Sequence, residues 1–257
     1  MNEAELLLTD ILGCSRTDLY VQKGRRLGSA AGSRMAGVLR RRFRGEPFQY
    51  IIGTTEFMGM PFAVAPEVLV PRPETELLVE KVISLYTDTP CVRILDIGTG
   101  SGCIAIALAK MIAGAHVTAT DISSEALAVA RRNAIERGVV IDFVQADLFP
   151  VSRKHIFDCI VSNPPYIPSR EIDMLQPEVQ RQPRCALDGG ADGLDFYRRI
   201  ITHAHEYLAD GGYVVVEIGF GQSRALQELF KEKEKFDIIA IIQDYARIDR
   251  IVVARLI

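Results

Sequence analysis

Apolar positions recur at helical spacing early in the chain and give way to strand-like runs later. Leu6, Leu7 and Ile11 within residues 3–12, and Met35, Val38, Leu39 and Phe43 within residues 33–44, step by three or four and predict two helices of a small N-terminal domain. From 55 to 70 the sequence Phe57-Met58-Gly59-Met60-Pro61-Phe62 breaks an apolar run with Gly and Pro, which suits a hairpin connector. Pro71 and Pro73 close it, and residues 74–85 read as a helix. Strand and helix then alternate, the order that builds a parallel sheet. Strands are predicted at 92–97, 117–120, 141–144, 157–161 and 213–218. Helices are predicted at 102–113 and from a cap at Ser123 through Leu127, Ala130 and Ala134 to Gly138. Runs at 236–242 and 248–254 lie too close together for a crossover and are expected to pair antiparallel.

Length fits this division, because 257 residues can bury the core of one large domain plus a small one. The expected boundaries are a helical domain at 1–54, a hairpin linker at 55–72 and the sheet domain at 73–257. A net charge of -3 discriminates little, but residues 1–55 hold nine Lys/Arg against five Asp/Glu, a basic appendage on an acidic body. Arg40, Arg41, Arg42 and Arg44 crowd the end of the second predicted helix, where cations complement its dipole, as a solvated face or a partner-binding patch. Cys14, Cys91, Cys103, Cys159 and Cys185 form no CxxC pair and have no histidine cluster, so neither zinc nor a disulfide framework is expected. Cys103 and Cys159 fall in apolar runs as small hydrophobes. The chain shows no leader-like N-terminus and no apolar run near the roughly 18 residues of a membrane span, which predicts a cytoplasmic protein.

The first strand ends on Asp96-Ile97-Gly98 and continues through Thr99-Gly100-Ser101-Gly102 into a helix. A Rossmann-like sheet brings its backbone close to a ligand at such a turn, and glycine permits the approach. The dinucleotide fingerprint G-x-G-x-x-G/A fits poorly, since Cys103 takes its sixth position. A ligand without a pyrophosphate, such as S-adenosylmethionine, suits a GxGxG turn better. Asp121 ends the second strand 19 residues after Gly102, where a carboxylate can accept from two ribose hydroxyls. Asp147 and Leu148 follow the third strand, placed for an adenine amino group and ring.

The fourth strand delivers Asn163-Pro164-Pro165-Tyr166 to the same edge. A carboxamide, proline-stiffened carbonyls and an aromatic ring on one turn can cradle a flat –NH2 group. Methyl transfer from a sulfonium is an in-line displacement that needs a nitrogen lone pair about 3 Å from the methyl carbon. An amide nitrogen is a poor nucleophile, so acceptors at the Asn163 side-chain oxygen and the Pro164 carbonyl would orient it and stabilise its developing charge. Tyr166 would stack on the flat group. No strong base is required, because the nitrogen becomes acidic only once methylated.

On these residues the chain resembles the HemK/PrmC family, the release factor glutamine methyltransferases. Matching stretches run nearly its whole length: GEPFQYIIGTTEFMGMPFAV, VLVPRPETELLVE, ILDIGTGSGCIAIALA, DISSEALAVARRNA, VSNPPYI, ALDGGADGLDFYRRI and VEIGFGQ. PRPETE and ALDGGADGL are the specific blocks, since Asn-Pro-Pro-Tyr also occurs in other amino methyltransferases. The resemblance implies a class I methyltransferase sheet, mostly parallel with an antiparallel closing strand. It implies S-adenosyl-L-methionine as donor, the glutamine of the GGQ motif in class 1 peptide chain release factors as acceptor, and an N-terminal domain that helps hold that protein. The family's cofactor loop maps to Gly98, Thr99, Gly100, Ser101 and Gly102, its ribose acid to Asp121, and further cofactor contacts to Leu148 and Asn163. Its catalytic and substrate motif maps to Asn163, Pro164, Pro165 and Tyr166. Gln182 stands where the family usually has Glu, and the resemblance leads us to expect that a first N-terminal helix common in relatives is missing here.

A base amino group in nucleic acid is the alternative acceptor, but it would need a basic track to the site. Arg170, Arg181 and Arg184 instead interleave with Glu171, Asp173 and Glu178, so no stable nucleic-acid partner is expected. A non-catalytic binding module has no use for an intact Asn163 and Asp121. No metal or membrane is anticipated, and the chain is expected to act as a monomer.

Overall fold

In the computed structural model, which describes all residues other than 1–2, 22–23, 25, 88, 90 and 152–156, the N-terminal segment is helical. It comprises α1 (Glu3–Leu12), α2 (Arg16–Val21), α3 (Ser29–Phe43) and α4 (Phe48–Ile52). Leu7, Ile11 and Phe48 form its small core, with Ala31, Met35, Val38 and Ile52 packed around them. α3 begins four residues before the predicted start because Ser29, Ala30, Ala31 and Gly32 are small and carry no apolar period. At six and five residues, α2 and α4 are too short to display one. Arg42 reaches from α3 to Glu3 and to Glu178 of the sheet domain, at 3.0 and 2.6 Å, and Arg41 pairs with Glu46. Two of the clustered arginines thus hold the molecule's own parts together.

The predicted connector is a hairpin of β1 (Thr54–Phe57) and β2 (Met60–Ala63). Its two-residue turn needs positive φ at both central positions, and Met58 and Gly59 adopt 50° and 69°. Phe57 and Phe62 meet edge to face and are buried in the main core. α5 (Pro73–Leu85) starts on proline, which suits a first helical position because its missing N–H would be unpaired there anyway.

Next come β3 (Arg93–Ile97), α6 (Cys103–Met111), β4 (His116–Asp121), α7 (Ser124–Arg137), β5 (Asp142–Gln145) and β6 (Phe157–Ser162). They are followed by α8 (Pro177–Gln180), α9 (Asp195–His203), β7 (Leu208–Glu217), α10 (Ser223–Lys233), β8 (Phe236–Gln243) and β9 (Asp249–Leu256). Among the described residues the strands of the large sheet order as β5-β4-β3-β6-β7-β9-β8, parallel from β5 to β7. β9 inserts antiparallel between β7 and β8. Strand alternation sorts Ile94, Cys159, Val215 and Val253 to a core shared with α5, α6 and α7. Leu95, Ile160, Val214 and Val252 go to the other, shared with α9 and α10. Chain order reverses direction between β3 and β6, so the crevice at their carboxyl ends is where an open sheet of this kind takes a ligand. Among the described residues no helix is long and apolar enough to cross a membrane.

One buried amide ties these parts together. Asn133 of α7 donates through Nδ2 to the carbonyls of Ala63 (3.0 Å) and Ser101 (2.9 Å), and its Oδ1 accepts from the Ala63 N–H (2.8 Å). Asn133→Leu keeps the approximate volume but strands these backbone groups. It is expected to lower stability by about 2–3 kcal/mol, measured by denaturant unfolding.

Candidate functional site

Gly98, Gly100 and Gly102 all hold positive φ, yet they do different jobs. A Cβ at Gly98 or Gly100 would meet nothing within 4 Å, and both residues line a cavity of about 300 Å3 at the crevice. At Gly102 a Cβ would stand 3.0 Å from Ala130 Cβ and 3.1 Å from Ile106 Cδ1, so this glycine lets α6 pack against α7. Thr99 and Ser101 are buried in the loop itself. The Thr99 hydroxyl donates to Asp96 at 2.6 Å, and the Ser101 carbonyl accepts from Asn133. Burial pushes the Asp96 carboxyl up to about 7, against the opposing Thr99 hydrogen bond.

Asp121 closes the next wall. Its Oδ2 accepts from Gly100 N–H at 2.8 Å and its Oδ1 from Ser123 N–H at 3.0 Å, which pins the carboxylate at the cavity. Ser123 also caps α7 as predicted, accepting from Ala126 N–H at 3.0 Å. Leu148 sits on the cavity wall at φ 71°, rare for a non-glycine, with its carbonyl held by the Thr120 hydroxyl at 2.7 Å. Asp147 is engaged by Arg199 at 2.8 Å, and both line the cavity.

Asn163, Pro164 and Pro165 form the opposite wall. Asn163 and Pro164 also line an adjoining cavity of about 190 Å3 with Tyr166, Leu69 and Arg72. The corner therefore stands between the two spaces and on the same side of the sheet edge as the glycine turn. Tyr166 borders the smaller space, and burial pushes its hydroxyl up to about 12, so it is neutral at ordinary pH. Behind the corner, Ile167 N–H bonds the Leu187 carbonyl (3.0 Å) and Gly189 N–H bonds the Ile167 carbonyl (2.8 Å). Gln222 donates to the carbonyls of Tyr166 (2.9 Å) and Gly193 (3.2 Å) and accepts from Gly219 N–H (2.9 Å). The blocks ALDGGADGL and VEIGFGQ are thus the scaffold of the Asn-Pro-Pro-Tyr corner.

Three more residues enter that motif reading did not assign. Thr75 accepts from Asn163 Nδ2 at 3.1 Å and donates to Glu217 Oε2 at 2.6 Å, while Gln222 clamps the corner as described. A carboxylate ending β7 at the ligand edge was the available signal for Glu217. Burial pushes its carboxyl up to about 7. Gln182 is buried, and its Oε1 accepts from Val70 N–H at 3.0 Å, which a neutral amide does without burying a charge.

Two family models match stretches of the chain. Residues 73–182 match the family model of the methyltransferase small domain, and residues 1–53 match that of the PrmC N-terminal domain. Over 255 residues the chain is 44% identical to a release factor glutamine methyltransferase of Geobacter sulfurreducens, covering 99% of this chain and 89% of that one. A second protein of that description, from Bradyrhizobium diazoefficiens, is 46% identical over 233 residues, covering 88% and 78%. Among solved structures, the ribosomal protein L11 methylase of Lactobacillus delbrueckii subsp. bulgaricus superposes with a TM-score of 0.54 at 22% identity, over 75% of this chain and 83% of that one, a likeness of fold.

Proposed function

The chain belongs to the release factor glutamine methyltransferase family, and from that premise we infer that it methylates the side-chain amide nitrogen of the glutamine in the GGQ motif of class 1 peptide chain release factors. The observation that carries the reading is the corner itself: Asn163 and Pro164 line both the glycine-turn cavity and the smaller adjoining one. The larger space fits S-adenosylmethionine. Gly98 and Gly100 leave open room where side chains would intrude, and the pinned Asp121 carboxylate suits vicinal hydroxyls. Leu148 and Asn163 complete the proposed contacts, while Thr99, Ser101 and Gly102 shape the loop from behind. S-adenosylmethionine, when bound, supplies an electrophilic methyl group on a sulfonium.

The protein's own part is to make an amide nitrogen behave as a nucleophile. Asn163 Oδ1 and the Pro164 carbonyl accept the two N–H bonds, orient the nitrogen and stabilise positive charge as it develops there. Tyr166, neutral and bordering the smaller cavity, stacks on the flat amide. Residues 1–54 hold the release factor, 55–72 join the parts and 73–257 carry the chemistry, in a monomer that works beside translation in the cytoplasm.

The test is transfer of labelled methyl from S-adenosylmethionine to a purified release factor, its GGQ-to-GGA variant and duplex DNA. Label is expected on the unaltered factor alone. Equal labelling of the GGA variant, or label on DNA, would overturn the acceptor assignment.

A further inference from the structure

Ser162 pairs with Val216 in the parallel ladder, which sets Asn163 and Glu217 side by side at the carboxyl edge. Thr75, from the first turn of α5, fills the space between them and is buried, as is Glu217. The resulting chain runs from Asn163 Nδ2 to Thr75 Oγ1 (3.1 Å) and from Thr75 Oγ1 to Glu217 Oε2 (2.6 Å). A hydroxyl has one proton to give. An ionised Glu217 accepts only, so Thr75 must donate to it and can offer Asn163 nothing but a lone pair. The –NH2 end of the carboxamide then turns to Thr75, and Oδ1 is left for the substrate.

Protonation of Glu217 lifts this constraint. The carboxylic acid can donate to Thr75, whose own proton is then free for Asn163 Oδ1, and the –NH2 end can turn to a substrate that also presents N–H groups. We propose that Thr75 and Glu217 are positioning residues, a hydrogen-bond relay whose polarity selects the Asn163 orientation that presents Oδ1 to the acceptor nitrogen. This rests on the role given to Asn163 above. Arg72, ahead of α5, and Arg250 of β9 favour the ionised carboxyl, and Glu74 opposes it. Tyr166, Cys103 and Tyr197 also face Glu217, and the Tyr197 hydroxyl donates to its backbone carbonyl at 2.7 Å. Because burial dominates and holds the carboxyl near 7, the relay loses its fixed polarity as pH falls below neutral.

The orientation can be read without turnover. In the full-length protein bound to S-adenosylmethionine, the Asn163 side-chain 15N–1H signals, assigned by their absence in Asn163→Asp, should titrate with a midpoint near 7. That titration should vanish in Thr75→Val and persist in Thr75→Ser. With release factor as acceptor, wild-type kcat should fall as pH drops through the same midpoint, since the protonated form no longer holds Oδ1 toward the acceptor. Thr75→Val should lower kcat about 10-fold, flatten that limb and leave the cofactor Kd within about 2-fold, and Thr75→Ser should recover most of the rate. A titration that persists in Thr75→Val, or a serine variant as slow as the valine one, would overturn the relay. A normal titration in a protein that labels no release factor would instead uphold the relay and remove the acceptor assignment.

Discussion

Asn163→Ala is expected to lower methyl transfer to the release factor at least ~100-fold while leaving the affinity for S-adenosylmethionine within a few-fold of wild type. The substitution removes the side-chain acceptor and leaves the Pro164 carbonyl, so one of two contacts to the developing charge is lost. Loss of one such preorganised contact costs about 10²–10³ in rate. The cofactor walls contributed by Gly98, Gly100, Asp121 and Leu148 remain, which is why binding should survive. Calorimetric titration of the cofactor and single-turnover labelling of the release factor separate the two quantities. An unchanged single-turnover rate would remove Asn163 from the mechanism, and a collapse of cofactor binding would make it a wall of the larger cavity only.

Much of this arrangement was legible because its signals are local. The glycine turn announces itself by composition, and Ser123 and Gly138 bracket α7 as a cap and a left-handed stop, φ 66° at the latter. The hairpin shows as Gly59 between apolar neighbours. The strands of the buried sheet appear as short apolar runs. Elsewhere the decisive partner lies far along the chain. Thr75 bonds a residue 142 positions away, and Gln182 satisfies Val70 across 112, distances that no window of sequence spans. The β9 insertion between β7 and β8 is likewise a matter of tertiary pairing, although the antiparallel contact of the last two strands was expected from their short separation. α9 and α10 are a different case. Tyr197, Ile200 and Ile201, and Leu226 and Phe230, are buried at helical spacing, so the period of both helices was available in the sequence. β7 begins five residues before its predicted start because Ala209, Asp210, Gly211 and Gly212 lack apolar alternation.

The division of labour among the glycines yields the other large effect. Gly193 and Gly221 share a φ of +79°, so alanine at either position bears similar left-handed backbone strain, about 1 kcal/mol. At Gly221 a Cβ would meet nothing within 4 Å, and Gly221→Ala should show only that cost. At Gly193 the Cβ would lie 2.3 Å from the Tyr166 carbonyl oxygen and 2.8 Å from Gln222 Nε2. The obstacle at Tyr166 is backbone, which cannot rotate aside, and Gln222 Nε2 already bonds the carbonyls of both residues. Relief therefore requires the Tyr166 peptide to move and the Gln222 clamp to break, adding about 2 kcal/mol in lost hydrogen bonds. The corner moves with it, and a displacement of about 1 Å at reacting groups can cost roughly 100-fold in rate. Gly193→Ala should thus unfold about 6–12 °C below wild type and transfer methyl about 100-fold more slowly, while Gly221→Ala loses only a few degrees and keeps its rate. Thermal unfolding with and without cofactor, and single-turnover labelling, measure both. Equal behaviour of the two variants would mean that ALDGGADGL does not brace the corner, and its place in the mechanism would have to be sought at the protein surface instead.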